Sequence, residues 1–406
     1  MTKPPVHSST NFSFDKFLRC AAIAVGMWYA LLCLMHYFAQ RPLWNDEECI
    51  LISLKSFSVA QIFSQPLAAL QVFPRLYLFL IQQIAKPFDF HLLALRLLSL
   101  VCMLGGFILW LRIARCALTD RLQYLTFVLS WPASAVLLYY SAELKQYSMD
   151  VLVAAVFILF LYHQEKLFEK KSIWPQVFIV AAIPALLLFS YVSIFFLLLP
   201  LYNSLILAKN NKKAIALSAC YAASLLVFVF LSYQYDVRLR PEAILTREWR
   251  DYFVSVKSLP EFFQTLGEGT NNLFSRWFVE RPKVLKKIGL FFISFGFFYL
   301  FRGFFKNIKS CGWRLTSLET ISFVIFVELF ILGVLKKYPF TVPRTSLFFC
   351  PIALLLAIKG IASLKNWNIS FYRVIQSAYV IFLVFLIAAL SRIVFVGELT
   401  FRPILW

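Results

Sequence analysis

Apolar runs close to the length of a bilayer crossing alternate along this chain with short polar connections. A span needs roughly 20 apolar residues. Runs of that kind occupy Phe17–Phe38, Leu92–Ala114, Leu122–Tyr139, Ser148–Tyr162, Trp174–Ser190, Tyr191–Ala208, Ala214–Tyr235, Leu285–Phe305, Leu318–Leu335, Thr345–Leu364 and Phe371–Ile393. The expected fold class is all-α: one polytopic transmembrane helix bundle over residues 1–406, with about eleven spans. No internal repeat or low-complexity segment stands out.

The segment Pro74–Phe88 (PRLYLFLIQQIAKPF) is short for a span and carries Arg75, Gln82, Gln83 and Lys86. Whether it crosses decides the topology. If it does not, the loops with Arg112/Arg115/Arg121, Lys166/Lys170/Lys171, Lys209/Lys212/Lys213, Lys306/Lys309/Arg314 and Lys359/Lys365 all share the side of the N-terminus. Lys and Arg concentrate in cytoplasmic loops. The segment therefore reads as an interfacial or re-entrant helix, and the N-terminus as cytoplasmic. The outer face then carries a first loop, 39–91, the turn Ser141–Tyr147, a long loop, 236–284, and the turn Lys336–Arg344. The long loop is rich in Arg, against the simple charge rule, but long loops translocate largely regardless of charge. Arg at the outer face also suits phosphate binding.

Composition excludes a soluble chain. Hydrophobic residues make up 61% and charged ones 15%, with 45 Phe, against about half and a quarter in soluble domains. The net charge of +20 would raise nucleic acid as a partner, but the basic residues sit mostly in short loops, so it reads as membrane orientation instead. Lys3, Lys16 and Arg19 precede the apolar run Cys20–Phe38, which reads as an uncleaved anchor. Most cysteines lie in apolar runs and no CxxC occurs, so neither a disulfide framework nor a thiolate metal site is indicated. His7, His36, His91 and His163 are too dispersed for a zinc cluster.

The chemistry-bearing clusters fall at the outer face. Trp44-Asn45-Asp46-Glu47-Glu48 puts three carboxylates just beyond a span. The plain reading is a solvated turn in which Asp46 caps a helix starting near Glu47. The functional reading makes Asp46 or Glu47 a general base for an acceptor hydroxyl. The run Tyr139 to Tyr147 is a polar patch between two spans. On a helix its Glu143 and Tyr147 share a face, though a loop with an aromatic belt explains it as well. Lys336 to Arg344 gathers positive charge and two prolines, Pro339 and Pro343, either as snorkelling side chains or as a phosphate clamp. Arg96 lies near the outer end of an apolar run and Glu328 inside another, and ionisable residues in spans are functional candidates by default.

The order of these motifs is informative. A span leads to a Trp-x-Asp-Glu loop, a Pro-x-Leu-Tyr amphipathic helix and an Ala-Leu-Arg-Leu-x-Ser span start. A Trp-Pro…Tyr-Ser-x-Glu-x-Lys-x-Tyr turn and a late Tyr-Pro-Phe…Arg element follow. The chain resembles the GT-C-fold membrane glycosyltransferases, in particular the large family of dolichyl-phosphate-mannose protein mannosyltransferases and lipid A aminoarabinose transferases. The resemblance runs to about Glu165 and returns at Tyr338–Pro351. No single motif is specific; their order and spacing carry the match. It implies a catalytic role for Asp46 with Glu47 as its acidic neighbour. Pro74 and Tyr77 then belong to the interfacial helix, and Arg96, Glu143, Lys145, Tyr147, Tyr338 and Arg344 to binding of donor phosphate or substrate. Lys145 stands where the family often has Arg, and Arg75 where it usually has an apolar residue.

The activity so implied is transfer of a sugar from a polyprenyl-phosphate donor to a hydroxyl or amine of a lipid, glycan or protein acceptor. It places the protein in the bacterial inner membrane, acting on its outer face. Asp46, Glu47 and Glu143 also offer ligands for one divalent ion. No Gly-rich phosphate loop is present, so no nucleotide is indicated. Two alternatives stand beside it: a polytopic transporter or flippase, with ionisable groups near the midplane and repeated halves, and an O-antigen-ligase-like enzyme using a diphosphate donor.

Overall fold

The computed structural model describes residues 9–169, 173–208, 212–240, 249–278, 283–311, 315 and 317–397. Lys3, His7, Lys170, Lys171, Lys209 and Arg314 lie outside these, as do 241–248 and 279–282 of the long loop 236–284. The described chain is helical and contains no strand. In chain order its helices are α1 (Ser9–Phe38), α2 (Asn45–Ser56), α3 (Arg75–Ala85), α4 (Leu92–Ala117), α5 (Arg121–Ser130), α6 (Ala135–Tyr139), α7 (Tyr147–Glu169), α8 (Trp174–Ala182), α9 (Leu198–Ala208), α10 (Lys212–Tyr235), α11 (Leu259–Ser275), α12 (Lys283–Cys311), α13 (Leu318–Val334), α14 (Cys350–Ser363) and α15 (Ile369–Phe395). Single turns such as Val59–Ile62 fill some of the connections.

Among the described residues, eight helical segments are long and apolar enough to cross a membrane: α1, α4, α7, Tyr191–Ala208 ending in α9, α10, α12, Leu347–Asn366 around α14, and α15. Their outward faces are apolar, with Leu226, Phe298 and Ile381 each at least 67% exposed. A water-soluble surface does not carry that much contiguous apolar area. The chain is a multi-pass membrane protein.

Three of the eleven expected spans fall outside these eight. Leu122–Tyr139 is the pair α5–α6, bent by 59°. Pro132 sits in the break, where it cannot donate to the helical ladder. The N–H of Ala135, just beyond the break, donates instead to the Phe278 carbonyl (3.0 Å), and Ser134 Oγ donates to the Trp277 carbonyl (2.8 Å). Trp174–Ser190 is α8 followed by a 3-10 stretch, Ile183–Leu188, that contains Pro184. Leu318–Leu335 is α13, which has 17 residues.

Within Pro74–Phe88, residues 75–85 form α3, whose 11 residues extend only about 17 Å, well short of the hydrocarbon thickness. The long loop 236–284 is not all loop. Its residues 259–275 form α11, with Ser258 accepting from Glu261 N–H as an N-cap and Pro260 in the first turn. Leu259, Phe262, Phe263 and Leu266 supply the helical apolar period that the loop reading overlooked.

Small residues set the closest helix crossings. A Cβ on Gly360 of α14 would meet the Phe295 carbonyl oxygen at 2.1 Å, and one on Gly296 of α12 would meet Ala357 N at 2.6 Å. The two backbones touch, as small residues permit in membrane bundles. Tyr29, Phe107 and Trp131 pack around one point, with centroids 4.8–5.5 Å apart, and tie α1, α4 and the α5–α6 break together.

Candidate active site

The ends of α1 and α6, the starts of α4 and α7, and the connections holding α2 and Arg344 meet at one end of the bundle. At this end the extended Trp44 caps α2, which begins at Asn45. Asp46 and Glu47 therefore lie in the first turn, where negative charge complements the helix dipole. The cap reading for Asp46 does not hold, because the helix starts before it and its side chain bonds elsewhere.

Glu47 is fully buried. Its carboxylate meets Arg96 through Nε (3.2 Å) and Nη2 (2.9 and 3.2 Å), and Arg41 Nη1 at 3.2 Å. It also accepts the N–H of Leu144 (2.7 Å) and that of Trp44 (3.3 Å). Arg96 Nη1 donates to the Arg41 carbonyl at 2.7 Å, and Arg41 stacks on Tyr139 at 4.5 Å. One carboxylate thus ties α2, α4, the end of α1 and the turn before α7 into a unit.

Asp46 points the other way. Its side chain is 25% exposed, and Oδ2 lies 3.0 Å from Arg344 Nη1 and 3.6 Å from Lys145 Nζ. Oδ1 accepts from Gln71 Nε2 at 3.2 Å, and Lys145 donates to Gln71 Oε1 at 2.9 Å. Partial burial works against the Asp46 charge, but Lys145 and Arg344 outweigh it and hold the carboxyl below the usual aspartate range. Burial and the like charge of Arg344 in turn push the Lys145 ammonium down.

Arg344 is almost buried. It stacks on Trp249 (4.9 Å) and Trp44 (5.5 Å), and its Nε has no hydrogen-bond partner among the described residues. Burial disfavours its charge, yet Tyr147, Asp46, Tyr140 and Glu143 around it more than offset this, so its pKa is raised. Glu143 Oε1 accepts from Trp44 Nε1 at 3.1 Å, while the buried Oε2 has no partner among the described residues. Burial, followed by Glu47, pushes Glu143 up to about 7.

The expected helical face of Glu143 and Tyr147 is absent, because Glu143 is extended and only Tyr147 begins α7. Both nevertheless lie around Arg344. Tyr338 is set differently: its hydroxyl donates to the Thr345 carbonyl and its ring packs edge-on against Phe195 at 4.9 Å. It braces the loop that carries Arg344. The three candidate carboxylates do not converge on a metal position. Asp46 is committed to Arg344 and Lys145, and Glu47 to two arginines. Among the described residues no group of three or more His, Cys, Asp or Glu is placed to hold an ion.

Gln71, Arg41 and Trp249 join the site without having been expected, and Trp44 of the acidic motif joins it through Glu143 and Arg344. Arg41 had a signal, as the basic residue that closely follows the first apolar run. Gln71 had none, since nothing in its neighbours marks a glutamine that must reach Asp46 and Lys145. Comparison of the chain with protein-family models, curated proteins and solved structures found no match.

Proposed function

We propose that the protein is a membrane glycosyltransferase of the GT-C kind, moving a sugar from a polyprenyl-phosphate donor to an acceptor on the outer face. The observation that carries this reading is Asp46, a part-exposed carboxylate held ionised between Lys145 and Arg344. That arrangement suits a displacement in which negative charge leaves on phosphate while a hydroxyl attacks. Asp46 orients the acceptor and takes its proton as the new bond forms. Arg344 and Lys145 stabilise charge growing on the leaving phosphate. Glu47 and Arg96 act through position, holding the turns that carry Asp46 and Lys145. One activated hydroxyl attacking directly inverts the anomeric centre. The apolar helix faces provide a medium for the polyprenyl chain.

On this reading α8 with its 3-10 continuation, and α13, complete eleven crossings, and the N-terminus is cytoplasmic. Single-cysteine variants check the orientation. Lys55→Cys in α2 should react with an impermeant thiol reagent from outside, and Thr119→Cys, between α4 and α5, only after the membrane is opened. The opposite pattern inverts the whole topology.

The reaction class is tested with purified protein and polyprenyl donors bearing either one or two phosphates. Sugar transfer or donor hydrolysis with the monophosphate is the expected result. Activity confined to the diphosphate moves the protein to the ligase-like class. Inactivity with both, together with lipid movement in vesicles, assigns a transporter.

A further inference from the structure

The helix α11 carries more apolar surface than its contacts within the protein use. Its 17 residues extend about 26 Å, and its side chains sort into three sectors around the axis. One flank is packed: Phe262 meets Phe330 of α13 edge-on at 6.1 Å, and Phe274 meets Phe297 of α12 at 4.7 Å. A second side is polar, with Gln264, Glu268, Asn271 and Asn272 all exposed. Between them Leu259 and Phe263 form an apolar crest, 75% and 66% exposed. At 100° per residue these two lie about 40° apart, with Phe262 roughly 60° to one side of Leu259 and Gln264 roughly 100° to the other side of Phe263. Val256, just ahead of the Ser258 cap, is exposed as well.

Its neighbours put α11 at the edge of the membrane. On one side is the loop that carries Arg344: Thr341 Oγ1 donates to the Tyr252 carbonyl at 2.7 Å, and a Cβ on Gly269 would meet the Thr341 methyl. On the other side are α12, one of the eight long apolar helices, and the outward end of α13. Exposed apolar residues continue on both. Phe291, Phe298 and Phe305 recur every seven residues along α12, and Ile331 and Leu335 stand one turn apart at the end of α13. An apolar crest between a packed flank and a polar side is the pattern of a helix lying in the interface plane. Since α11 contains no Lys or Arg, its attachment depends on apolar area rather than on attraction to anionic head groups.

We infer that α11 is seated on the lipid surface at the end of the bundle that holds Asp46 and Arg344, with Leu259 and Phe263 among the acyl chains. The occupant of the crest is the bilayer, because the exposed apolar faces of α12 and α13 beside it already face lipid. The segment 249–275 then joins Arg344 to the membrane, since Trp249 stacks on the guanidinium at 4.9 Å while α11 rests on lipid.

The test places the photoreactive residue p-benzoylphenylalanine singly in the full-length protein, in vesicles of phosphatidylethanolamine and phosphatidylglycerol. It reads covalent lipid adducts by intact mass, so its outcome is independent of sugar transfer. The residue at position 263, and at 259 in a second variant, should form adducts to the extent seen at position 226 on the exposed face of α10. At 264 and 268 the yield should be several-fold lower. Equal yields at 263 and 268 overturn the seat, as does no adduct at 263 and 259 while 226 reacts. Chain-to-chain crosslinks from 263 in place of lipid adducts overturn it in favour of a second copy of the protein.

Discussion

Asp46→Asn is expected to lower sugar transfer per folded molecule by roughly 10²–10⁴-fold, the usual contribution of a general base. The amide retains the shape and keeps an oxygen for Gln71, but it can neither accept a proton nor balance Arg344 and Lys145. Some stability goes with the charge, about 1–3 kcal/mol for a charged hydrogen bond, reduced because Asp46 is part-exposed. Turnover must therefore be normalised to folded protein, by size-exclusion profile and melting temperature in detergent. Glu48→Gln is the control: Glu48 is exposed on the same turn and should be silent. The pH profile adds a signature. Asp46 works ionised, and its neighbours hold its pKa down. The rate it governs should persist through the ordinary aspartate range and fall only at lower pH. Near-normal turnover in Asp46→Asn would remove the catalytic assignment.

Glu47→Gln is expected to act on the fold instead. Glu47 has no exposed surface, and its charge is the counterion of both Arg41 and Arg96. Removing it leaves two largely buried guanidinium groups uncompensated. Breaking a buried pair this way typically costs about 3–5 kcal/mol, a large share of the stability of any one domain. The measurement is thermal unfolding in detergent, with the yield of monodisperse protein as a second reading. A well-folded Glu47→Gln protein that has lost transfer would show that Glu47 serves the reaction as well as the fold. A well-folded and active one would show that the two arginines find other partners.

Most of the architecture was legible in the apolar pattern. A lipid environment forces each crossing to satisfy its backbone within one segment, so the runs at Leu92–Ala114 or Phe371–Ile393 have few alternatives to long helices. The short α3 was legible for the same reason, by its length and its polar residues. The bend at Pro132 was less so. A hydropathy run counts apolar residues and does not register where a missing N–H breaks the ladder. The amphipathic α11 was missed because its apolar positions, spread at helical spacing, never form a continuous run.

The site divides along a similar line. Asp46 and Glu47 are neighbours, and from sequence alone both read as candidates for one role. Adjacent residues on a helix point about 100° apart. That rotation sends Glu47 into the protein against Arg96, and Asp46 toward the rim against Arg344, 298 positions away. Which carboxylate is enclosed and which remains open depends on what stands opposite each, and those partners come from α4, the turn before α7 and the loop after α13. Local sequence determined that acidic residues would open a helix just beyond the first span. Long-range packing alone decided that one of them would be neutralised in the interior and the other held ionised at the edge of the site.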